Sequence, residues 1–367
     1  MQIAHIAALG RRLALHFPDG ADSSLESAVR RAWTGAMLPD TVSTADADVH
    51  VPPPGAHAEQ ALSDLTAAVT RRAIDRRRGE IWMTHAGGVA DPDGRVCMLV
   101  GPSGAGKTTA TRRLSRRFGY VSDETVAVEP GGRVLPYRKP LSLVVDGESW
   151  KRQVAPEELG LRALPDTPLR LSAVIVLDRS RHAPATPRAV PLDTLDALIA
   201  VAEHSSGLSS MHRPLATIAA CLAAAPPYRL EYRNDADLTG IVEDLLSTPS
   251  PRRAGVRHEP PTDEVARAAD LPGPPPGLYR RAPFVDAVSD DTRLAVLRHV
   301  GHGEGELTVI SGIAPEIWRQ CATDSDLRTI GERIASVHGS PPPGEPADEL
   351  LQVGLDDLVR SGVLLRG

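Results

Sequence analysis

The sequence predicts an α/β fold followed by a smaller α+β domain of winged-helix type. Three observations support this division. A continuous apolar run at residues 96–100 precedes a glycine-rich loop and a segment with helical spacing, which is the strand–loop–helix order of a parallel sheet. A proline-rich stretch at residues 247–277 interrupts the chain. Beyond it, apolar and polar residues alternate in three segments, as in β-strands, and three segments with apolar residues at helical spacing follow.

The glycine-rich loop fits the P-loop pattern of glycine, four residues and then Gly-Lys-Thr. Its residues are Gly101, Pro102, Ser103, Gly104, Ala105, Gly106, Lys107, Thr108 and Thr109. The glycines let the backbone approach a phosphate, and the amide groups form an anion nest at a helix N-terminus. Lys107 is expected against the β- and γ-phosphates, and the Thr108 hydroxyl is expected to bind Mg²⁺. The motif predicts binding of a nucleoside triphosphate.

Composition excludes several other classes of protein. A net charge of −6 argues against a generally basic nucleic-acid binder, and 3% aromatic residues argue against stacking platforms for single strands. No apolar run approaches the roughly 18 residues that span a membrane, and no signal peptide opens the sequence. The three cysteines lack metal-ligand spacing. We therefore expect a cytoplasmic protein without nucleic-acid or membrane partners. The composition does not decide whether the chain forms a homo-oligomer.

Four further residues are candidates for chemistry. Asp123 and Glu124 interrupt an apolar strand after the P-loop helix, and acids in such a strand are costly to bury unless a cation or metal pairs with them. Asp178 ends a second buried strand, residues 171–178, and competes with Asp123 for the metal role. His85 lies on a strand, residues 80–89, that pairs with the P-loop strand. The residues alone favour a structural role for it.

The order of His85, the P-loop and Ser122-Asp123-Glu124 resembles the catalytic domain of HPr kinase/phosphorylase. It is still more similar to the HPr-kinase-like proteins of peptide natural-product clusters, which residues 134–143 and 215–232 also resemble. The resemblance implies a PEP-carboxykinase-like core with a mixed sheet and flanking helices, and ATP with Mg²⁺ as cofactors. It also implies that Asp123 is the general base, that His85 hydrogen-bonds to it, and that Asp123 or Glu124 helps to hold the metal.

Three features depart from the bacterial HPr kinases. Thr109 stands where they have an acid, Glu124 stands where they usually have aspartate, and the glycine-rich signature of their phosphorylase reaction has no match. The resemblance therefore supports ATP-dependent phosphorylation, without HPr as the substrate or the reverse phosphorolysis.

The C-terminal residues predict strands at 285–288, 292–298 and 306–310, followed by helices at 314–321, 329–338 and 348–361. This order resembles the PqqD-like domains, which bind the leader of a precursor peptide. The resemblance implies that the leader adds as a strand to an edge at 306–310. The residues expected to contact it are Leu307, Val309, Leu350, Leu351, Leu355 and Leu358. The alternative is a winged helix that binds another partner such as DNA, which acidic helix residues oppose.

The predicted organisation is an α+β region at 1–75, an HPr-kinase-like domain at 76–246, a proline-rich linker at 247–277 and a PqqD-like domain at 278–367. The predicted function is Mg²⁺/ATP-dependent phosphorylation of a serine or threonine hydroxyl on a precursor peptide bound through its leader. A kinase for a small hydroxylated metabolite, such as an amino acid, is one alternative. A non-catalytic, nucleotide-dependent peptide adaptor is the other.

Overall fold

The computed structural model describes residues 3–20, 23–53, 57–233, 237–248, 255–261, 272–301, 305–339 and 346–367. The chain divides into two compact units. The first consists of residues 1–206 and 220–254, and the second of residues 207–219 and 255–367. Two parts of the predicted linker, 249–254 and 262–271, lie outside the described residues. Within the described ranges, every helix is too short or too polar to cross a bilayer.

The N-terminal region of the first unit combines a small sheet with two helices. Its elements are β1 (Ile3–Ala8), β2 (Arg11–His16), α1 (Ser23–Ala32), β3 (Ala47–His50) and α2 (Ala58–Arg77). The sheet has the order β1-β2-β3, with β1 and β2 antiparallel and β3 parallel to β2. The apolar cluster of this region also contains Met83, Ala127 and Tyr137. The region therefore shares one core with the chain that surrounds the P-loop.

The rest of the first unit is built around a six-stranded mixed sheet. Its elements are β4 (Trp82–Thr84), β5 (Ala86–Ala90), β6 (Arg95–Val100), α3 (Lys107–Leu114), β7 (Gly119–Ser122), β8 (Val126–Val128), β9 (Val134–Leu135), β10 (Leu141–Val144), β11 (Lys151–Val154), β12 (Arg170–Arg179), β13 (Arg188–Pro191), α4 (Thr194–Ala202), β14 (Ser205–Ser206), α5 (Pro214–Ala224, which begins in the second unit), β15 (Pro227–Tyr232) and α6 (Thr239–Ser247). The large sheet has the order β13-β15-β12-β6-β5-β7, with β15, β12 and β6 parallel. The predicted mixed α/β class is confirmed.

Two predicted strands are each broken at a predicted site residue. Residues 80–89 form β4 and β5, which separate at His85, and residues 119–128 form β7 and β8, which separate around Asp123 and Glu124. β5 and β7 belong to the large sheet, whereas β4 and β8 belong to a second sheet with the order β14-β4-β8-β9. The N–H of Ala86 donates to the Glu124 carbonyl at 3.1 Å. The site residues therefore lie where two neighbouring strands pass from one sheet to the other.

The second unit contains the strands and helices expected near the C-terminus and several short strands besides. Its elements are β16 (Arg257–His258), β17 (Leu278–Arg281), β18 (Asp286–Ser289), β19 (Arg293–His299), β20 (Gly305–Ser311), α7 (Ala314–Gln320), β21 (Ser325–Asp326), α8 (Leu327–His338), α9 (Ala347–Arg360) and β22 (Leu364–Arg366). One sheet has the order β16-β18-β19-β20 and the other β21-β17-β22. Ile317, Trp318 and Leu355 lie in the apolar cluster of this unit.

Residues 255–261, which lie within the predicted proline-rich linker at 247–277, form part of the second unit. β16 pairs antiparallel with β18, and Glu259 accepts hydrogen bonds from Arg319 at 2.6 Å and from the Ser289 hydroxyl at 2.7 Å. Residues 207–219 also belong to this unit, where the buried Asp286 accepts the N–H groups of Leu215 and Ala216. A proline-rich composition did not reveal these contacts because each depends on a partner distant in sequence.

Candidate active site

The P-loop runs from the end of β6 to the start of α3 with the backbone that anion binding requires. Gly104 and Gly106 have φ values of 81° and 93°, a left-handed conformation that glycine adopts without strain. A Cβ at Gly106 would lie 3.2 Å from a guanidinium nitrogen of Arg179 and 3.3 Å from the Tyr232 hydroxyl. α3 begins at the next residue, so its N-terminal dipole favours negative charge at the loop.

Lys107 lies against the P-loop backbone. Its Nζ donates to the carbonyl of Gly101 at 2.6 Å and to that of Pro102 at 3.1 Å. The residue is 6% exposed, and burial lowers the pKa of its ammonium group. A flexible lysine can exchange these two neutral acceptors for phosphate oxygens, which are stronger partners for a cation.

A cavity of about 610 Å³ borders the P-loop and brings most of the predicted site together. Six loop residues line it: Ser103, Gly104, Gly106, Lys107, Thr108 and Thr109. His85, Asp123 and Glu124 line the same cavity. Gly101, Pro102 and Ala105 belong to the loop but not to this lining. Ser63, Thr66 and Ala67 of α2 complete one side of the cavity, which gives the N-terminal region a structural role in the site.

Asp123 is held by two buried partners. Its Oδ1 accepts a hydrogen bond from the Tyr120 hydroxyl at 2.8 Å and lies 3.2 Å from Nζ of Lys139. Burial and then the Asp123 charge raise the pKa of Tyr120 well above its usual value, so the phenol stays a donor. The hydroxyl of Ser122, the residue before Asp123, accepts the N–H groups of Glu124 and Thr125, which fixes the turn between β7 and β8. These contacts leave Oδ2 of Asp123 for a ligand.

Lys139 is a buried cation between the two acids. Its side chain is 1% exposed, and its Nζ lies 3.0 Å from Oε2 of Glu124 and donates to the Pro140 carbonyl at 3.1 Å. Burial alone lowers the pKa of Lys139, but the charges of Asp123 and Glu124 outweigh that effect and the pKa is raised. The protein thus supplies a counter-ion for the two acids. Acids in an apolar strand need either a cation or a metal as a partner, and here the cation is Lys139.

His85 contacts a different group from the predicted one. Its Nδ1 lies 2.8 Å from the backbone carbonyl of Glu124, whereas the expected partner was the Asp123 side chain. A carbonyl only accepts, so Nδ1 carries the hydrogen and the neutral ring has its lone pair on Nε2. Burial, and then the charge of Lys107, lower the pKa of His85, which favours this neutral form at neutral pH. The difference arises because the strand break at His85 places its ring beside the backbone of the turn.

The end of β12 contributes an arginine to the site rather than an acid. Asp178 is exposed and lines neither cavity beside the P-loop, so it is not placed with the other candidate metal ligands. The next residue, Arg179, donates from its guanidinium to the Gly104 carbonyl at 2.6 Å and lines both cavities. Alternation along the strand explains the difference, because neighbouring side chains point to opposite faces.

A second cavity of about 330 Å³ also borders the P-loop. Gly106, Thr109 and Arg179 line both cavities, so the two are neighbours across the start of α3. The second is also lined by Leu114 and Leu238, by the polar side chains of Asp237 and Thr239, and by Tyr232, whose hydroxyl donates to the Ala105 carbonyl at 2.9 Å. Apolar walls with a few polar groups suit a nucleoside.

The oxygen donors of the larger cavity fit Mg²⁺ that arrives with a nucleotide. Thr108, Asp123 and Glu124 supply hydroxyl and carboxylate oxygens, the hard ligands that Mg²⁺ prefers. Among the described residues, no group of three or more His, Cys, Asp or Glu side chains could form a metal site alone. Mg²⁺ commonly keeps water and binds through one or two carboxylates plus phosphates, and this donor set meets that need.

The predicted peptide-binding residues divide into two groups in the second unit. β20 is the terminal strand of its sheet order, and Val309 on it is 38% exposed, as a site for strand addition requires. Leu351 and Leu355, in contrast, are 5% and 0% exposed and belong to the core. Leu351 also borders, with Leu350, a cavity of about 750 Å³, so only the assignment of Leu355 to a groove wall is wrong, because that residue lies on the inward face of α9. Its outward apolar residues include Leu350 and Val353.

Leu307 and Leu358 complete the set of residues expected to contact a peptide. Leu307 is half-buried on β20, and Leu358 is buried in the core with the other inward residues of α9. Of the six expected contacts, those on the edge strand and Leu350 keep exposed or half-exposed side chains.

Comparison with solved structures finds a similar chain. It is described as the HPr(Ser) kinase/phosphatase from Coxiella burnetii, with 14% sequence identity and a TM-score of 0.25. The alignment covers 44% of this chain and 92% of that chain. No protein-family model matches the sequence, and no curated protein matches it.

Sequence reasoning gave no chemical role to three cations of the larger cavity, Lys139, Lys151 and Arg179. For the lysines a signal was present. Lysine and arginine together number 41, and only three of these are lysines, which leaves 38 arginines. All three lysines line this cavity. No comparable signal marks Arg179, since arginine is common along the whole chain.

Proposed function

We propose that the chain is a Mg²⁺/ATP-dependent kinase that phosphorylates a serine or threonine hydroxyl of a precursor peptide. One observation carries the transferase part of the proposal: the P-loop, Lys107 and Asp123 line the same cavity. Phosphoryl transfer requires a cradle for the terminal phosphates and a group that orients the attacking hydroxyl. The cavity offers both.

The two cavities beside the P-loop divide the nucleotide between them in this proposal. The nucleoside occupies the smaller cavity, where Tyr232 and Thr239 offer polar contacts. The triphosphate passes Gly106 into the larger cavity, where the loop and Lys107 bind its β- and γ-phosphates. Arg179 lines both cavities and faces the phosphate chain at the crossing. The acceptor enters the remainder of the larger cavity.

The residues of the chain position the acceptor and stabilise charge. Oδ2 of Asp123 accepts the hydrogen of the attacking hydroxyl, while Tyr120 and Lys139 hold Oδ1. Lys107 stabilises the charge that spreads over the transferred phosphoryl group. Thr108, Asp123 and Glu124 would hold Mg²⁺ together with the nucleotide, and the ion would supply further charge neutralisation there. His85 presents Nε2 as a second acceptor for a proton.

The peptide part of the proposal depends on the edge strand β20. An extended peptide that adds to this edge gains backbone hydrogen bonds, and Val309 offers it an apolar contact. A tethered peptide-binding module raises the concentration of its ligand near a linked site to roughly millimolar for a short connection. Peptide recognition by the second unit therefore complements transferase chemistry in the first.

Incubation of the protein with Mg²⁺, γ-labelled ATP and the peptide encoded beside its gene tests the proposal. Label on a serine or threonine of the peptide is the expected result. Label on a small metabolite would indicate the metabolite kinase, and no transfer to any acceptor would indicate an adaptor. An Asp123→Asn variant is expected to bind ATP as the wild type does and to lose transfer. In a non-catalytic adaptor, the same substitution would change neither ATP binding nor the transfer of label, which would be absent in both proteins.

A further inference from the structure

The placement of lysine in this chain is unusual. Arginine outnumbers lysine 38 to three, and Lys107, Lys139 and Lys151 all line the larger cavity beside the P-loop. An ammonium and a guanidinium are not interchangeable, because lysine is a compact, mobile point charge and arginine is a rigid planar fork. A chain that otherwise uses arginine has lysine only where a cation faces this cavity.

Two of the three lysines have contacts that explain them. Lys107 is bound to the P-loop carbonyls, and Lys139 is enclosed between Asp123 and Glu124. Lys151 differs, since its ammonium makes no hydrogen bond or ion pair within the part of the chain that the structure describes. It is exposed, and it is the first residue of β11.

Lys151 lies on a different structural element from the residues that would bind the nucleotide. β10 and β11 form an antiparallel hairpin in which Lys151 pairs with Val144. This hairpin packs on α2, and it also brings Ser142 and Ser149 to the cavity. Lys107 and Arg179 both donate to carbonyl groups of the P-loop. Lys151 lies on another element, β11. Asp123 and Glu124 already have Lys139 as their counter-ion, so they do not account for Lys151.

We propose that Lys151 determines acceptor specificity by binding a carboxylate that the acceptor carries close to its reactive hydroxyl. The inference rests on the proposed function and extends it by naming the charge of the substrate. An unpaired ammonium at a cavity wall favours an anion, and the Ser149 hydroxyl lies on the same cavity wall as a further donor, whereas the Ser142 hydroxyl donates to Oε1 of Gln153. The carboxylate belongs either to a chain terminus or to an acidic side chain beside the acceptor residue.

Binding of small acceptor probes tests the inference without requiring transfer. Isothermal titration calorimetry on the full chain, with Mg²⁺ and a non-hydrolysable ATP analogue present, compares N-acetyl-glycyl-serine with its C-terminal amide and with the α-amide of N-acetyl-seryl-aspartic acid, whose side-chain carboxylate is free. The wild type is expected to bind at least one acid about tenfold more tightly than the neutral amide, which corresponds to about 1.4 kcal/mol. The first acid reports a terminal carboxylate and the second a side-chain carboxylate.

Variants at two adjacent positions assign that preference to one charge. Lys151→Met is expected to bind acids and amide equally, whereas Lys151→Arg keeps part of the preference. Arg152→Met is the matched control, because Arg152 is also exposed but does not line the cavity. It should behave as the wild type does.

Three outcomes would overturn the inference. They are an equal affinity of the wild type for acids and amide, an unchanged preference in Lys151→Met, or a loss of ATP affinity in that variant, which would assign Lys151 to the triphosphate. Transfer of label from γ-labelled ATP, measured separately with the same probes and with the peptide, reports on the proposed kinase activity. A protein that binds acids through Lys151 and transfers nothing would refute the kinase and keep the anion site.

Discussion

The ammonium of Lys139 lies 3.2 Å from Oδ1 of Asp123, and both side chains are almost fully buried. The same ammonium reaches Oε2 of Glu124 at 3.0 Å. An ion pair at such a depth fixes geometry, because neither partner can leave without stranding a charge in a poorly solvated site. The acid that faces the acceptor in our proposal is therefore held by the protein before any ligand binds.

Removal of this cation is expected to destabilise the fold. Lys139→Met leaves two acids without their shared counter-ion, and breaking a buried pair from one side costs about 3–5 kcal/mol. Urea denaturation monitored by fluorescence measures the loss. A triple variant that adds Asp123→Asn and Glu124→Gln should recover much of it, since no charge is then left unpaired. If Lys139→Met and the triple variant were equally unstable, packing rather than charge would explain the effect.

Lys107→Ala is expected to reduce phosphoryl transfer to a trace of the wild-type rate while the fold persists. Loss of one preorganised donor at the site of developing charge typically lowers kcat by about 10²- to 10³-fold. Transfer from γ-labelled ATP and the thermal midpoint, measured on the same preparations, separate activity from stability. Arg152→Ala, at an exposed residue outside the cavity lining, serves as the control. A Lys107→Ala variant that transfers phosphate at the wild-type rate would contradict the assigned site.

The ion pair of Glu259 predicts a pH dependence for the second unit. Burial raises the pKa of Glu259, but hydrogen bonds from Arg319 and Ser289 outweigh it and the pKa is lowered from 4.5. A carboxyl whose folded pKa lies below its unfolded pKa stabilises the fold above pH 4.5, and the contribution is lost as pH falls through the folded value. Unfolding of the wild type and of Glu259→Gln, followed from pH 7 to pH 3, measures this contribution.

Glu259→Gln should be less stable than the wild type at pH 7, and the difference should shrink toward pH 3. Asp291→Asn is a suitable control because Asp291 is fully exposed and, among the residues that the structure describes, its carboxylate pairs only with Arg257, at 3.7 Å. A difference between Glu259→Gln and the wild type that stays constant over this range would show that the carboxylate charge is not the source.

The edge strand of the second unit predicts where peptide binding can be blocked. Val309→Asp introduces a charge on β20, and it is expected to weaken binding of the leader at least tenfold without changing the thermal midpoint. Val337→Asp is the matched control, since Val337 is 48% exposed on α8, away from that strand. Equal binding by both variants, measured by fluorescence anisotropy with labelled leader peptide, would exclude β20 as the docking edge.

Leu355→Ala distinguishes a core residue from a groove residue. Leu355 is fully buried, so its truncation is expected to cost about 2–5 kcal/mol of stability. Its effect on peptide binding should then follow the loss of folded protein, which circular dichroism measures alongside binding. A stable Leu355→Ala variant with weakened binding would restore the groove assignment that the structure corrects.

Local sequence determined the elements of this protein but not every partner of its site. The P-loop from Gly101 to Thr109 was readable because a turn for phosphate needs glycines at fixed spacing, and the C-terminal strands and helices were readable from periodicity. Asp123 and Glu124 were recognisable as acids that need a cation. Which cation they have was not, because Lys139 lies in a different segment, after β9, and only the folded chain brings its ammonium to the two acids.

Only the tertiary structure decided how the strands are divided and which side chains face the cavity. The breaks at His85 and around Asp123 arise where two strands change sheets, and no local pattern encodes a change of sheet. The inward turn of Leu355 depends likewise on what α9 packs against. Periodicity states which residues share a face, whereas the direction of that face depends on contacts between residues far apart in the chain.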